Sequence, residues 1–291
     1  MPEQLKTVLI TGGTDGLGKA TALLLAENGY RVFATGRNAE RREALNFEAV
    51  RRELPLEAVE MDVCEDDSVN RAITEIEHKA GPVDVLVNNA GVAYIAAMEE
   101  ITVADLRKQF ETNFFGVVRV TQRVLPQMRA RRLGRIINMS SVSGITAVPL
   151  FGPYSSSKFA LESISDSWRL ELILYGIPVV LIEPGFIPSG MGKAAGQLSA
   201  TYYSGAKRSP YATIYSHFLD RWKQKSSGEQ RYTPDDCARV ILRAVRANPP
   251  KARYTVTSPA WFASVSRRLF SDRALDRWVG KRFGITGPLP H

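Results

Sequence analysis

Short β-branched runs alternating with longer amphipathic stretches constrain this chain more than any other feature. The runs 7–11, 31–35, 56–61, 83–87, 135–139, 178–182 and 253–257 read as buried strands. Helical periodicity with matching start and stop residues predicts helices over 17–28, 38–53, 68–79, 102–109, 113–131, 153–174 and 234–247. Strand and helix in strict alternation call for a parallel sheet covered on both faces, because a parallel crossover needs a helix. Right-handed crossovers then wind the sheet doubly. Two stretches break the alternation. Residues 188–232 are rich in Gly, Ser and Tyr, and a connection that long predicts a lid or binding loop. Residues 259–291 follow the last strand and predict an amphipathic helical extension to a domain that ends near residue 258.

With 291 residues the chain can bury the core of one large domain. Its formal charge is +8. Most of that charge lies in 251–282, where eight basic residues face only Asp272 and Asp276. The remainder is near neutral, so no nucleic-acid partner is expected. The basic tail leaves a contact with a membrane surface or another anionic partner open. Cys64 and Cys237 form no metal-ligand spacing with each other or with His78, His217 and His291, so no metal is expected. The thiols read as free and the compartment as reducing, hence cytoplasmic. The N-terminal apolar run is too short for a signal peptide. No run is long enough to span a bilayer.

Chemistry-bearing residues collect at the C-terminal ends of the strands. The first strand ends in 11-TGGTDGLG-18. Glycine there lets a backbone come close, and the following helix offers N–H groups to a diphosphate. Gly12, Thr14, Asp15, Gly16, Leu17 and Gly18 are thus a candidate dinucleotide cradle, with a ligand-free tight turn as the alternative. The second strand ends in 35-TGR-37, without the acidic residue that would bond adenosine ribose hydroxyls. Arg37 suits a 2′-phosphate instead, which favours NADP(H) while leaving NAD(H) open. Asp62 and Val63 end the third strand at the adenine side; Asp62 could equally cap the next helix. Asn89, Ala90 and Gly91 follow the fourth strand in 88-NNAG-91, and Asn113 either caps a helix or holds water.

In 138-NMSSVSG-144 the hydroxyl of Ser141 can face a substrate carbonyl, with Ser140 and Ser143 as rivals. Finally, 154-YSSSK-158 places Tyr154 and Lys158 on one helical face. An ammonium beside a phenol favours the phenolate, so the pair is a candidate acid/base. A surface tyrosine and a solvated lysine are the bland alternative.

TGGTDGLG, NNAG, Asn113, Ser141 and Tyr154-SSS-Lys158 occur in the order and at the spacings of the short-chain dehydrogenase/reductase family. The chain resembles its Y-x₃-K type over about residues 5–257. The resemblance implies a Rossmann-like, doubly wound α/β fold with a seven-stranded, mostly parallel sheet and helices on both faces. It implies NADP(H)-dependent interconversion of a carbonyl and an alcohol. Tyr154 resembles the catalytic acid/base, and Lys158 the residue that lowers its pKa and bonds the nicotinamide ribose. Ser141 resembles the carbonyl-orienting hydroxyl, and Asn113 the residue holding a water in a proton relay. The loop 183-EPGFIP-188 is similar to the family's nicotinamide loop, which assigns Pro184, Gly185, Ile187 and Ser189 to the cofactor. Ser189 stands where a threonine is usual. Asp15 stands where some NADP-preferring relatives carry a basic residue, which weakens that preference. A homodimer or homotetramer through the helices at 113–131 and 154–174 is implied as well.

Tyr94, Ile95, Val148, Phe151, Met191, Leu198, Tyr202, Tyr203, Tyr211, Tyr215, Phe218 and Trp222 could line a pocket for an apolar carbonyl or alcohol, or simply pack the lid on the body. The lid, the EPGFIP loop and the tail resemble retinol- and 17β-hydroxysteroid-type dehydrogenases and bacterial aldehyde reductases. Competing readings are a non-catalytic dinucleotide sensor on the same fold and a surface-binding protein acting through its tail.

Overall fold

The computed structural model describes residues 5–227 and 231–285. The last six residues of the expected tail and 228–230 of the expected lid lie outside them. Chain order runs β1 (Thr7–Ile10), α1 (Gly16–Glu27), β2 (Arg31–Gly36), α2 (Ala39–Arg51), β3 (Leu56–Glu60), α3 (Asp66–Ala80) and β4 (Val85–Asn88). It continues through α4 (Val103–Phe110), α5 (Gly116–Arg131), β5 (Arg135–Met139), α6 (Gly152–Glu171) and β6 (Val179–Glu183). Then come α7 (Gly190–Leu198), α8 (Ala200–Gly205), α9 (Ala212–Ser227), α10 (Pro234–Arg246), β7 (Arg253–Thr255), α11 (Ser258–Leu269) and α12 (Asp272–Arg282). The seven strands form one sheet in the order β3-β2-β1-β4-β5-β6-β7. Every neighbouring pair is parallel, so the sheet is wholly rather than mostly parallel.

Alternation along each strand sends side chains to two cores. Val8 and Ile10 pack with α1, α2 and α10 on one face. Leu9, between them, packs with Phe33, Leu86 and the helices α3 and α5 on the other. The strand order reverses between β1 and β4, whose C-terminal ends open the crevice where ligands of such sheets sit.

Three local departures from the sequence reading matter. Asn113 does not cap a new helix. Residues Glu111–Phe115 form a π turn joining α4 to α5 without a break. Such single-turn bulges cluster at functional sites. The segment 188–232 is not a loop: it carries α7, α8 and α9. Tyr215 and Phe218 of α9 are buried with Ile95, Leu150 and Tyr154, so apolar burial sustains helices that composition did not announce. Third, several of the expected pocket tyrosines tie that helical layer to the body. Tyr202 donates to Asp105 (2.7 Å), Tyr211 to Glu99, and Tyr215 to Glu100 (2.8 Å).

Candidate active site

The glycine-rich turn is built by close approaches. Gly12 has φ +62°, and a Cβ there would lie 2.9 Å from Ala90 Cα. A Cβ on Gly18 would lie 2.3 Å from the Gly12 carbonyl oxygen. Only glycine fits either position. Thr11, which the motif reading passed over, locks the turn to the NNAG segment: its Oγ1 accepts from Asn89 N and Ala90 N, each at 3.0 Å. The Asn89 side chain donates to the carbonyls of Thr11 (2.9 Å) and Gly12 (3.0 Å). Asn89 and Gly18 thus shape the cradle by packing.

Beside this turn lies a cleft of about 480 Å³. Gly12, Thr14, Asp15, Gly16, Leu17, Arg37, Asp62, Val63, Asn89, Ala90, Gly91 and Ser189 all line it. The N-terminus of α1 opens there, with Asp15 as its cap accepting from Gly16 N at 2.8 Å. A turn whose glycines exclude side chains, a helix N-terminus and an elongated cleft together fit a dinucleotide. The basic residues beyond β2 are unequally committed. Arg41 pairs with Asp15 at 2.8 Å. Arg42 donates to the carbonyls of Gly36 and Arg37 and pairs with Glu60 at 2.8 Å. Arg37 is two-thirds exposed and meets Asp62 at 3.3 Å. Asp62 does not cap α3; its Oδ1 accepts from Cys64 N at 3.0 Å.

Gly91, Val92 and Met191 line the same cleft, and Asn113 Oδ1 would sit 3.4 Å from a Cβ on Gly91. Tyr154, Lys158, Ser141, Pro184, Gly185 and Ile187 do not line it. Ile187 is buried in the core that holds β5 and β6, and Gly185 lies against Thr257. Asn113 is fully buried. Its Oδ1 accepts from Val92 N (2.9 Å), while its Nδ2 donates to Val92 O (3.0 Å) and Ser157 Oγ (3.1 Å). Ser157 in turn donates to the Tyr154 carbonyl at 2.7 Å. The Asn113 side chain is therefore a strap between the NNAG segment and α6, committed to protein partners.

Tyr154 and Lys158 share one face of α6, both buried. The Lys158 ammonium stands 5.7 Å from the Tyr154 ring centroid and donates to the Met139 carbonyl at 2.7 Å. Of the three serines, Ser141 is the one whose hydroxyl acts on the phenol, favouring its ionised form, and its Oγ is oriented by Ser143 N at 3.1 Å. The expected lowering of the phenol by the ammonium is not found. Burial pushes Tyr154 up to about 12, against the Ser141 hydrogen bond that lowers it. Burial also pulls Lys158 down to about 8, against Glu162, which raises it. For each group desolvation is the larger cause.

Sequence reading missed the ion cluster one turn further along α6. Arg253 of β7 reaches Glu162 (3.2 Å), Asp166 (2.8 Å) and Glu183 of β6 (3.3 Å). The sequence reading places Arg253 at the start of the last strand and among the terminal cations, without a partner. A buried Glu just before the Pro-Gly loop was the signal that it needed a cation. Among the described residues, no three His, Cys, Asp or Glu side chains are grouped to hold a metal.

Known proteins place this geometry. A profile of the short chain dehydrogenases matches residues 6–199. Retinol dehydrogenase 8 of Bos taurus is 34% identical over 265 residues, 88% of this chain and 83% of its own. The NADPH-dependent 3-dehydrocapnine reductase of Ornithobacterium rhinotracheale is 34% identical over 283 residues, 94% and 95% of the two chains. A solved short-chain dehydrogenase from Streptomyces avermitilis superposes with a TM-score of 0.76 at 28% identity, covering 98% of this chain and 100% of that one. The chain therefore belongs to the short-chain dehydrogenase family of oxidoreductases.

Proposed function

We propose that this oxidoreductase uses NADP(H) to interconvert an apolar aldehyde or ketone with its alcohol, Tyr154 being the acid/base. The buried Tyr154 phenol carries the reading: the Ser141 hydroxyl acts on it and the Lys158 ammonium stands 5.7 Å from its ring centroid.

A bound NADPH would supply hydride to the carbonyl carbon. Gly12, Thr14, Gly16 and Leu17 would hold its diphosphate, and Arg37 its 2′-phosphate. Asp62 and Val63 would meet the adenine side, Ala90 and Gly91 the middle, and Pro184, Gly185, Ile187 and Ser189 the nicotinamide side. Lys158 would bond the ribose.

The protein's own share is proton supply and alignment. With its pKa held near 12, Tyr154 carries its proton at neutral pH, the form that reduction needs. That proton moves from the phenol oxygen to the carbonyl oxygen as negative charge develops there. Ser141, fixed by Ser143 N, orients the same oxygen. Lys158, with a pKa near 8, is still largely a cation at pH 7. Asn113 fixes α6 relative to the NNAG segment, which keeps Tyr154 in register with the cleft. The aromatic surroundings of Tyr154, including Phe151 and Phe218, favour an apolar substrate. The relative named as NADPH-dependent supports the choice of nucleotide.

The test is an NADPH-oxidation screen over aldehydes, retinal, ketosteroids and long-chain ketones. Turnover is expected with at least one of them, falling about 10²- to 10⁴-fold in Tyr154→Phe while NADPH binding persists. Near-wild-type turnover by that variant would remove Tyr154 from the chemistry. Nucleotide binding without turnover on any carbonyl would favour a sensor.

A further inference from the structure

Helix α11 shows its amphipathic faces reversed. Among the described residues the side chains it buries are small: Ala260 is fully buried and Ser266 nearly so. Its large apolar side chains point outward, with Trp261 59%, Phe262 51% and Leu269 74% exposed. A helix that merely docks on a body presents the opposite pattern. The Phe262 ring lies 6.3 Å from that of Trp278, which carries the apolar face onto α12. In the same terminal segment Lys251, Arg267, Arg273, Arg277 and Lys281 are exposed, and Arg267 is paired with Asp272.

This face adjoins the reaction site. Thr257 caps α11, accepting from Ala260 N at 3.3 Å, and lies directly against Gly185 of the Pro-Gly loop. Helix α11 packs on the turn Val142–Gly144, which follows Ser141. Phe283, just after α12, joins the cluster that contains Tyr154, Phe151 and Phe218. Gly284 lies against His217 of α9.

We propose that the face of α11 and α12 carrying Trp261, Phe262, Leu269 and Trp278 docks on an anionic lipid surface and receives the apolar substrate from it. The substrate clause rests on the catalytic reading above; the docking does not. Charge selects the occupant. A second copy would bring an equally basic segment against this one, and like charges oppose that contact. Anionic lipid headgroups complement this basic segment, and the aromatic side chains suit the boundary between headgroup and acyl chain. Each cation near such a surface favours binding by about fivefold.

The intact chain is sedimented with vesicles of phosphatidylcholine alone and with vesicles in which part of it is replaced by phosphatidylglycerol, without nucleotide or carbonyl. It should pellet with the anionic vesicles and not with the neutral ones, and its tryptophan emission should shift to the blue on binding. Arg273→Glu, Arg277→Glu and Lys281→Glu together replace exposed side chains only. They should weaken binding more than roughly tenfold. Trp261→Ser should weaken it too, with the melting temperature unchanged. Equal pelleting on both vesicle types, none on either, or binding unmoved by charge reversal would overturn the proposal. So would a dimer in sedimentation velocity that Trp261→Ser abolishes while vesicle binding persists. Binding is read without turnover, so a chain inactive on every carbonyl would still show it. A chain that turns over a water-soluble carbonyl yet ignores vesicles would lose only this inference.

Discussion

Tyr154 and Lys158 sit in the same buried environment and respond in opposite directions, because burial disfavours whichever form is charged. For Lys158 the folded pKa lies near 8, below the usual 10.5. The unfolded chain therefore binds more protons between those values, and stability rises with pH across that window. Tyr154 acts oppositely, but only above its ordinary value of 10.0, where the unfolded phenol ionises first. Between pH 8 and pH 10 the lysine dominates, with roughly 3 kcal/mol at stake over its whole window. Urea unfolding at pH 7.5 and 9.5 should show the wild type gaining on Lys158→Met as pH rises. Parallel curves would place the ammonium in a far better solvated site. Arg37 belongs to the same scale. Its neighbours Arg41 and Arg42 are already committed, so Arg37→Asp should shift the NADPH-to-NADH preference by about tenfold or more toward NADH. An unchanged ratio would remove Arg37 from phosphate recognition. The pairing of Tyr154 with Lys158 was legible in the sequence because a helical i,i+4 spacing is local. Their pKa values were not, because burial is set by segments far away in the chain, such as α9 and the turn after β5.

At the scale of elements, the strands and their parallel order were legible because β-branched runs and helical periods carry them. The helices of 188–232 were not, since their apolar partners, Ile95 and Leu150 among them, lie outside that segment. The π turn was hidden for a related reason. Asn113 earns its place by bonding Val92 and Ser157, which no local pattern announces. The Arg253 cluster is the strongest tie between β7, β6 and α6. Burial raises the Glu162 pKa even with Arg253 beside it. Arg253→Met would deprive Glu162 and Glu183 of that cation and cost about 3 kcal/mol or more at pH 7. Without it the Glu162 carboxyl, already raised by burial, would be raised further. The variant's deficit should therefore shrink as pH falls toward 5 and Glu162 takes up its proton. Urea titrations at pH 5 and pH 7 check this, and an equal deficit at both would show that the cluster contributes packing alone.

For the whole molecule, two exposed apolar surfaces call for different partners. The α11–α12 face belongs to a basic segment and adjoins the turn after Ser141. The other follows the outer side of α6 and the residues after it, where Leu170, Ile173 and Leu174 are each more than 60% exposed. Phe159 on α6 and Phe115 in the π turn are partly exposed as well. Here the charges are mixed: Arg169 pairs with Asp166, so two copies can meet without the repulsion that disfavours a tail-to-tail contact. Large apolar side chains this exposed on a long helix favour a partner of the same kind, a symmetric pairing through α5 and α6. Sedimentation velocity at micromolar concentration should then give a dimer or tetramer. Leu170→Glu with Leu174→Glu should shift it toward monomer with the helical circular dichroism intact, since both side chains already face solvent in the single chain. A wild-type monomer at every concentration tested would leave these residues as scattered surface hydrophobics, and the site would have to be complete within one chain.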